Sequence, residues 1–382
     1  MIENYVEINT DNINFNIDNI VKKYNNYDYY IAVVKGNAYG HGLELANYIK
    51  NIKINYYAVS TLEEALKLRK YEKEKPILIL HPVNIDEINT CINNNLTITI
   101  TNYNFYKDLI NKDIKKELKI HLKINTGMNR LGIDNKDEIT EIYNNLINNK
   151  HLILEGIYTH MATLGITDKN WDNQINTFIN LTKDIDLNKI KIRHIYSSNS
   201  LFFHPKKDFC NGVRLGQIIY GNHFPKINHD GFKNKLKDIK RNYIRKKYNL
   251  SDLNTDYNLE LKDAFTLISK VIEIKNIKKG SSIGYDAAYI TNNDCKIATI
   301  PIGYVDGLNN SFKYVSINNN KYKIIGEINM CMTNILIDDK VNLNDKVILF
   351  GDNVITKNDI NLPTPYLYSK IPENIKKIYK KN

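Results

Sequence analysis

The chain has 382 residues, of which 42% are hydrophobic and 25% are charged, and its formal net charge at pH 7 is +11. This length predicts two domains, with enough apolar residues for a core in each. The positive charge is concentrated in residues 226–247 and 376–381 without an RNA-binding signature, so we expect no nucleic-acid partner. The four cysteines form no CxxC pair, which argues against a metal site and a disulfide scaffold.

The first residues, MIENYVEINT, lack the basic and apolar segments of a secretory leader. No apolar run approaches the ~20 residues that a membrane helix needs. We therefore expect a cytoplasmic protein without a membrane partner.

Predicted strands and helices alternate along the first half of the chain. A short strand at residues 6–10 is followed by apolar residues at helical spacing, such as Ile17 and Ile20. Ser60 followed by Glu63 is a capping-box pattern, which predicts the start of a second helix. Further strands are predicted at residues 31–34, 56–59, 77–80, 96–101, 119–124 and 152–158.

This alternation predicts an α/β fold built from βαβ units. Eight such units close into a TIM-type (β/α)8 barrel, whose active site lies at the carboxyl ends of the strands. Lys35, Lys123, His160 and Ser200 all fall where strands are predicted to end, so we expect them at that end of the barrel.

The pattern changes in the second half of the chain. Residues 226–250 are rich in lysine and weakly apolar, which is typical of a solvated helix or a flexible insertion. β-branched runs then predict strands at residues 271–274, 296–302, 322–325 and 346–349. We therefore predict a barrel at residues 12–225, a basic insertion or linker at 226–262, and a mainly β C-terminal domain at 263–382 that includes a strand from residues 1–11.

Residues 30–42, YIAVVKGNAYGHG, contain the most informative side chain, Lys35. An ammonium group at the end of a buried strand is costly unless it is paired or used chemically. Desolvation lowers the pKa of such a lysine and makes its amine a nucleophile for Schiff-base chemistry. The alternative is a lysine whose ammonium group reaches solvent from the strand end.

AVVKGNAYGHG resembles the pyridoxal-phosphate lysine motif of the alanine racemase family, which usually has alanine in place of Gly36. The resemblance implies a pyridoxal-phosphate-dependent amino-acid racemase with a barrel and a β domain. It also implies a homodimer with shared active sites, a small amino-acid substrate, and D-alanine production for peptidoglycan. Further stretches resemble the family in the same order: LKINTGMNRLGI, YTHMA, GVRLGQIIYG, SSIGYDAAY, ATIPIGYVDG and GEINMCMTN.

The resemblance implies four catalytic residues. Lys35 binds the cofactor as a Schiff base and acts as the base on one face of the substrate, and Tyr285, contributed across the dimer, is the base on the other face. In the family's scheme, His160, hydrogen-bonded to Arg214, makes the phenol of Tyr285 easier to deprotonate. Arg214 faces the pyridine nitrogen and keeps its proton, because a guanidinium stays charged.

The resemblance also implies the residues that bind the cofactor phosphate. They are Tyr39, the Ser200 hydroxyl and the backbone of Gly216 and Gln217. Glycines and short polar residues let backbone N–H groups approach an anion closely.

The same family implies the substrate contacts. Arg130 contacts the cofactor's phenolic oxygen or the substrate carboxylate, and the backbone N–H of Met330 binds that carboxylate. Tyr304 lines the entrance. Lys123 aligns with a lysine that is carboxylated in many family members and that orients the arginine. No metal is implied.

One departure from the family bears on the substrate, because Cys331 stands where aspartate or asparagine is usual. A racemase of serine or of broad specificity is therefore one alternative, and a related pyridoxal-phosphate decarboxylase is a second. A third alternative is a non-catalytic protein that carries the cofactor. The predicted β domain with Tyr285 argues against this alternative. The family's tyrosine near the end of the chain has two candidates here, Tyr366 and Tyr368.

Overall fold

The computed structural model describes residues 4–221, 232–254, 259–351, 354–355, 359–360, 368 and 371–381. Within them lie two nine-stranded sheets and a two-stranded hairpin. The first sheet is a nearly closed parallel barrel, and the second forms a mainly β C-terminal domain, which confirms the predicted fold class.

The N-terminal strand β1 (Tyr5–Asn9) leads into helix α1 (Thr10–Lys23). The barrel strands that follow are β2 (Tyr29–Val33), β3 (Ile54–Val59), β4 (Ile77–Ile79), β5 (Leu96–Ile100), β6 (Leu118–Lys123), β7 (Leu152–Tyr158), β8 (Ile192–His194), β9 (Tyr196–Ser197) and β10 (Gly212–Leu215). The helices between them are α2 (Lys35–Tyr39), α3 (Leu62–Arg69), α4 (Ile88–Asn93), α5 (Tyr103–Ile110), α6 (Lys136–Leu146), α7 (Asn170–Leu181) and α8 (Ser198–Phe203).

The barrel closes through two short strands that act as one. Only Ile195 separates β8 from β9; β8 pairs with β7, and β9 pairs with β10. The pairing order is β8-β7-β6-β5-β4-β3-β2-β10-β9, and every pair is parallel. The carboxyl ends of all strands therefore meet at one mouth of the barrel.

Side chains of the barrel strands alternate between two cores. Ile31 and Tyr56 belong to a cluster inside the barrel, whereas Tyr30 and Tyr57 belong to the larger cluster between strands and helices. A parallel strand covered on both faces buries all of its side chains, which explains the continuous apolar runs in the sequence. Each large apolar side chain buried in this way contributes about 1.5–3 kcal/mol.

The remaining strands form the second sheet and the hairpin β13–β14. They are β11 (Phe265–Lys270), β12 (Glu273–Ile277), β13 (Ser282–Ile283), β14 (Tyr289–Ile290), β15 (Cys295–Ile300), β16 (Tyr314–Ile317), β17 (Asn320–Ile325), β18 (Thr333–Ile337), β19 (Lys346–Phe350) and β20 (Lys376–Lys380). The second sheet has the order β12-β15-β18-β17-β16-β19-β11-β1-β20. Strand β1 lies inside it, antiparallel to β11 and parallel to β20.

The prediction of a strand at residues 271–274 is wrong at its start, because residues 271 and 272 lie between two strands. The Val271 N–H donates to the Asp345 carbonyl at 3.0 Å, and the Ile272 N–H donates to the Thr299 carbonyl at 2.9 Å. These two residues carry the chain from β11 to β12 at the far edge of the sheet.

Helix α9 (Phe232–Tyr248) occupies most of the lysine-rich segment, whose residues 226–231 lie outside the described part. Its described side chains are mostly exposed. Arg245 attaches it to the barrel by donating to the carbonyls of Gly165 at 3.3 Å and Ile166 at 2.9 Å. Of the two alternatives from the sequence, the structure has the solvated helix.

No helix in the described part of the chain combines the length and apolar character needed to cross a membrane. The same residues contain no group of three or more His, Cys, Asp and Glu side chains that is placed to hold a metal ion. The domain limits given above stay a prediction.

Candidate active site

A cavity of about 340 Å³ opens at the mouth of the barrel, within the usual size range of small-molecule sites. Its lining follows from the two-residue period of the strands. Ile31 and Val33 face the barrel interior, so Lys35 comes next in the same row and lines the cavity. By the same rule, His121 faces the interior and Lys123 lines the cavity.

Four cationic side chains line this cavity, those of Lys35, Lys123, Arg130 and Arg214, and none of the described lining residues is a carboxylate. Burial, followed by the positive charges of Arg130 and Arg214, lowers the pKa of Lys35. The same causes lower the pKa of Lys123 to about 8. The cavity is therefore suited to anions, and it contains two amines that lose their protons readily.

The chain turns sharply after Lys35 in a left-handed backbone conformation. The angle φ is 61° at Gly36, 52° at Asn37, 54° at Ala38 and 53° at Tyr39. Glycine adopts this conformation freely, but each of the other three residues costs roughly 1–2 kcal/mol. Strain of this kind persists only where surrounding contacts hold it, and it is typical of functional sites.

The carboxylate of Glu64 holds this turn in place. Its Oε1 accepts hydrogen bonds from the N–H groups of Gly36 at 2.6 Å and Asn37 at 3.3 Å. Its Oε2 accepts from the N–H of Ser60 at 2.8 Å. One carboxylate therefore connects the turn that carries Lys35 to the end of strand β3.

Sequence reasoning missed Glu64. It predicted Ser60 and Glu63 as the start of α3, but Thr61 caps that helix, its hydroxyl accepting from the Glu64 N–H at 3.3 Å. The segment STLEE fits a capping pattern in either register, and only the fold shows which of the two carboxylates faces the Lys35 turn.

Arg214 is buried below the cavity and donates to five acceptors. They are Nδ1 of His194 at 2.7 Å, Nδ1 of His160 at 3.2 Å, and the carbonyls of His194, Thr159 and Ile195 at 2.6, 2.8 and 3.3 Å. Because a guanidinium only donates, each histidine accepts through a bare Nδ1 and is neutral. Burial, then the charge of Arg214, lowers the pKa of His160 to about 3. The hydrogen bond expected between His160 and Arg214 is therefore present.

A concave group of hydroxyl and backbone groups lies beside Arg214. The Gly216 N–H donates to Oγ of Ser198 at 2.9 Å, and a Cβ on Gly216 would lie 2.9 Å from the hydroxyl of Tyr39. No side chain fits at this glycine without displacing its neighbours. With Gln217, these residues form a lining of the kind that binds phosphate.

The structure differs from the sequence prediction at the serine of this group. The hydroxyl of Ser200 accepts from the Ser197 N–H at 2.8 Å and donates to the Ser197 carbonyl at 3.2 Å. It is absent from the cavity lining, which contains the other two serines of SSNS, Ser197 and Ser198. The start of helix α8 determines these positions, and the phosphate contact of Ser200 stays a prediction.

Three predicted site residues do not line the cavity of their own chain. Tyr285, Tyr304 and Met330 belong to the C-terminal domain, where they are 70%, 57% and 55% exposed. Tyr285 lies in the loop of the β13–β14 hairpin, and the Tyr304 N–H donates to the carbonyl of Asn329, next to Met330. One chain thus assembles the barrel half of the predicted site and leaves the other half exposed.

Neither candidate for the tyrosine near the chain end can be placed at the cavity. Tyr366 lies outside the described residues. Tyr368 is buried, with its ring centroid 5.0 Å from that of His41 and 4.7 Å from that of Phe265. Cys331 is exposed, as are its neighbours Met330 and Met332.

Comparison with known proteins gives consistent matches across both domains. Family models described as alanine racemase, N-terminal domain, and alanine racemase, C-terminal domain, match residues 8–223 and 264–372. The alanine racemase of Borreliella burgdorferi is 34% identical over 359 residues, which are 91% of this chain and 88% of that protein. A solved alanine racemase from Clostridium difficile 630 is 29% identical, with a TM-score of 0.84 over 100% of this chain and 97% of that one. A histidine racemase from Leuconostoc mesenteroides shares the fold at 23% identity, with a TM-score of 0.82 over 100% and 98% of the two chains.

Proposed function

Because the chain belongs to the alanine racemase family of amino-acid racemases, we propose that it interconverts L-alanine and D-alanine with bound pyridoxal phosphate. The observation that carries the proposal is the cavity with four cations and no described carboxylate. Such a lining is complementary to a phosphate, a phenolic oxygen and an amino-acid carboxylate. In the same proposal, the enzyme works in the cytoplasm and its D-alanine enters peptidoglycan.

The residues present fit pyridoxal phosphate, on which the family depends. The lowered pKa of Lys35 supports its covalent bond to the cofactor's aldehyde carbon. Tyr39, Ser200 and the backbone of Gly216 and Gln217 would hold the phosphate, with Ser198 in the cavity lining. The missing Cβ of Gly216 leaves room for an anion. Arg214 has no acceptor for its Nε–H among the described residues, so this group remains for the ring nitrogen. When bound, the ring supplies an electron sink for the carbanion left at the α-carbon.

Racemisation needs a base on each face of the substrate, because the proton leaves one face and returns to the other. In the proposal, Lys35, released when the amine of the substrate takes its place at the cofactor, is a neutral amine and would accept the α-proton on one face. Tyr285 of the partner subunit serves the other face, which accounts for the exposure of this tyrosine in a single chain. His160, neutral beside Arg214, orients the phenol.

Arg130 and the backbone N–H of Met330 would bind the substrate carboxylate, and Tyr304 would narrow the entrance. Carbon dioxide adds only to a neutral amine, so the lowered pKa of Lys123 supports carboxylation of this lysine. The resulting carbamate would give the cavity an anionic partner for Arg130. This supports the expected positioning role of Lys123.

A second substrate class follows from two observations. Cys331 stands where the family usually has an acid or amide, and a histidine racemase shares this fold. The alternative is therefore racemisation of serine or another amino acid by the same residues.

A substrate panel tests the proposal. The purified protein, loaded with pyridoxal phosphate, is assayed for racemisation of L-alanine, L-serine, L-histidine and L-lysine. We expect the highest kcat/KM for L-alanine. A higher kcat/KM for another amino acid would mean that this amino acid, and not alanine, is the substrate. Release of carbon dioxide would identify a decarboxylase. Absence of a covalent cofactor signal would overturn the proposal.

A further inference from the structure

A row of buried polar side chains runs through the barrel from Glu155 to Arg214. Nη1 of Arg214 lies 2.7 Å from Nδ1 of His194, and Nε2 of His194 lies 2.9 Å from Nδ1 of His121. Nε2 of His121 lies 3.7 Å from Oε2 of Glu155, which is ion-pair range but longer than a hydrogen bond. Both histidines are fully buried, and the side chain of Glu155 is 5% exposed. The proposed reaction makes no direct use of Glu155 or His121.

The chemistry of the donors fixes the position of every proton in this row. Arg214 only donates, so Nδ1 of His194 is bare and its Nε2 carries the hydrogen. That N–H then donates to His121, whose Nδ1 is therefore also bare. The hydrogen of His121 lies on Nε2 and faces the carboxylate of Glu155. The row has one direction, and the carboxylate at its far end attracts the N–H of His121 at ion-pair range.

Glu155 is itself held by two donors. The hydroxyl of Tyr56 donates to Oε2 at 2.8 Å, and Nζ of Lys191 lies 3.4 Å from Oε1. Burial acts to raise the pKa of Glu155, but the electrostatic attraction of His121, the hydroxyl of Tyr56 and the charge of Lys119 together outweigh burial and hold that pKa below its usual range. Burial also lowers the pKa of both His121 and His194. An ionised carboxylate facing two neutral imidazoles is the arrangement that the proton positions require.

The backbone is shaped for this contact. The register between β6 and β7 pairs Ile120 with Leu154 but His121 with Gly156, so Glu155 is the extra residue of a β-bulge. A bulge changes the direction of a side chain, which here allows Glu155 to face the interior. A Cβ on Gly156 would lie 2.6 Å from the His121 ring, so only glycine leaves room for the imidazole.

We propose that Glu155 and His121 are positioning residues that fix the proton on Nε2 of His194 and so keep its bare Nδ1 turned towards Arg214. Arg214 is thereby held in one orientation below the cavity, with its Nε–H available to a ligand. The inference rests on the proposed function only in identifying that ligand group as the ring nitrogen of pyridoxal phosphate.

Nitrogen NMR of the holoenzyme labelled with ¹⁵N-histidine tests the proton positions directly. We expect His121 and His194 to be neutral near pH 7, each with its hydrogen on Nε2. A protonated ring, or a hydrogen on Nδ1 of either residue, would overturn the proposal. Failure of the proposed function has a different signature, namely absence of bound cofactor or of racemisation with these tautomers intact.

Substitutions at Glu155 separate positioning from structural support. Glu155→Met removes the anion that faces the N–H of His121, so we expect mixed tautomers at His121 and, through its hydrogen bond, at His194. We expect a roughly tenfold lower kcat with KM little changed. Glu155→Gln keeps a carbonyl acceptor and should retain the wild-type tautomer and most of kcat. Equal losses in both variants, with tautomers unchanged, would contradict the proposal.

Two further variants complete the test. Glu141→Met is the matched control, because Glu141 also accepts from a tyrosine hydroxyl, that of Tyr103 at 2.6 Å, but on the outside of the barrel. We expect it to leave the His194 signal and kcat unchanged. Gly156→Ala removes no polar group yet displaces the His121 ring, so it should reproduce the mixed tautomers of Glu155→Met. A wild-type histidine spectrum in Gly156→Ala would overturn the proposal.

Discussion

The barrel mouth and the exposed face of the C-terminal domain carry the two halves of the proposed site, and they are built differently. In the barrel mouth, burial and neighbouring cations have already shifted the pKa of Lys35 and His160 within a single chain. On the other face, Tyr285, Tyr304 and Met330 lie largely in solvent. The comparison teaches that the fold of one chain already prepares the surroundings of Lys35, whereas Tyr285 faces mostly solvent and, in the proposed dimer, would acquire its surroundings from the partner subunit.

The largest effect is expected for Lys35→Ala, which tests the barrel half of the proposed site. We expect loss of the covalent cofactor absorbance and at least about a thousandfold loss of racemisation, because anchor and base are removed together. The melting temperature should stay near that of the wild type, since the side chain ends in the cavity. Lys53→Ala, at an exposed lysine, is the control and should retain the absorbance. A persistent absorbance in Lys35→Ala would show that another lysine is the anchor.

The exposed half is tested by Tyr285→Phe. We expect a loss of about a hundredfold or more, with α-proton exchange in deuterated water slowed much more in one direction than in the other. Tyr314→Phe, which changes another exposed tyrosine of the same domain, should be active. Equal slowing in both directions would contradict the two-base scheme.

Mixing the two inactive variants sharpens the comparison between the halves. In a dimer with shared sites, each Lys35→Ala/Tyr285→Phe heterodimer has one intact site. Random exchange of subunits should therefore restore about one quarter of wild-type activity. No recovery, with subunit exchange verified by mass, would mean that each chain supplies its own second base.

A smaller effect is expected at the contact that holds the Lys35 turn. Glu64→Gln loses an ionised acceptor of three backbone N–H groups, and an amide nitrogen there would face donors. We expect the free energy of unfolding to fall by roughly 1–3 kcal/mol and the covalent cofactor signal to form more slowly. Glu63→Gln, next to it and largely exposed, should change stability by less than about 0.5 kcal/mol. Similar behaviour of the two variants would contradict this role of Glu64.

The smallest effect concerns the proposed carboxylation of Lys123, whose pKa of about 8 would set the pH dependence of that reaction. Carbon dioxide reacts with the neutral amine, so at fixed dissolved carbon dioxide the carbamate should increase as pH rises through about 8. Carbon NMR with ¹³C-bicarbonate measures it, and Lys123→Met should lack the signal. A carbamate signal that falls over this pH range would contradict the prediction.

The sequence was informative where a pattern has one interpretation. Strand β7 lies at Leu152–Tyr158, as its apolar run predicted. Lys35, Lys123 and His160 line the cavity because parallel strands share one mouth, although Ser200 does not. Lys35 could be found because an amine ends an otherwise apolar strand. These features depend on local periodicity and on a rule of topology.

The sequence was uninformative where several equivalent residues compete. Ser198 and Ser200 differ only in their position on one helical turn, and Glu63 and Glu64 only in capping register. The proposed role of Glu155 depends on a β-bulge, which no residue type in the sequence predicts. The choice between two serines or two glutamates, and the direction of the Glu155 side chain, can be read only from the three-dimensional backbone.

Strand β1 precedes both of its partners by a long stretch of chain, because β11 and β20 begin only at Phe265 and Lys376. Pairing across so many residues closes a long loop and is slow. During synthesis, most barrel strands are followed closely by a strand with which they pair. Strand β1 stays unpaired until β11 and β20 have been made. Truncation before β20 would leave β1 as an open sheet edge and expose newly made chains to aggregation.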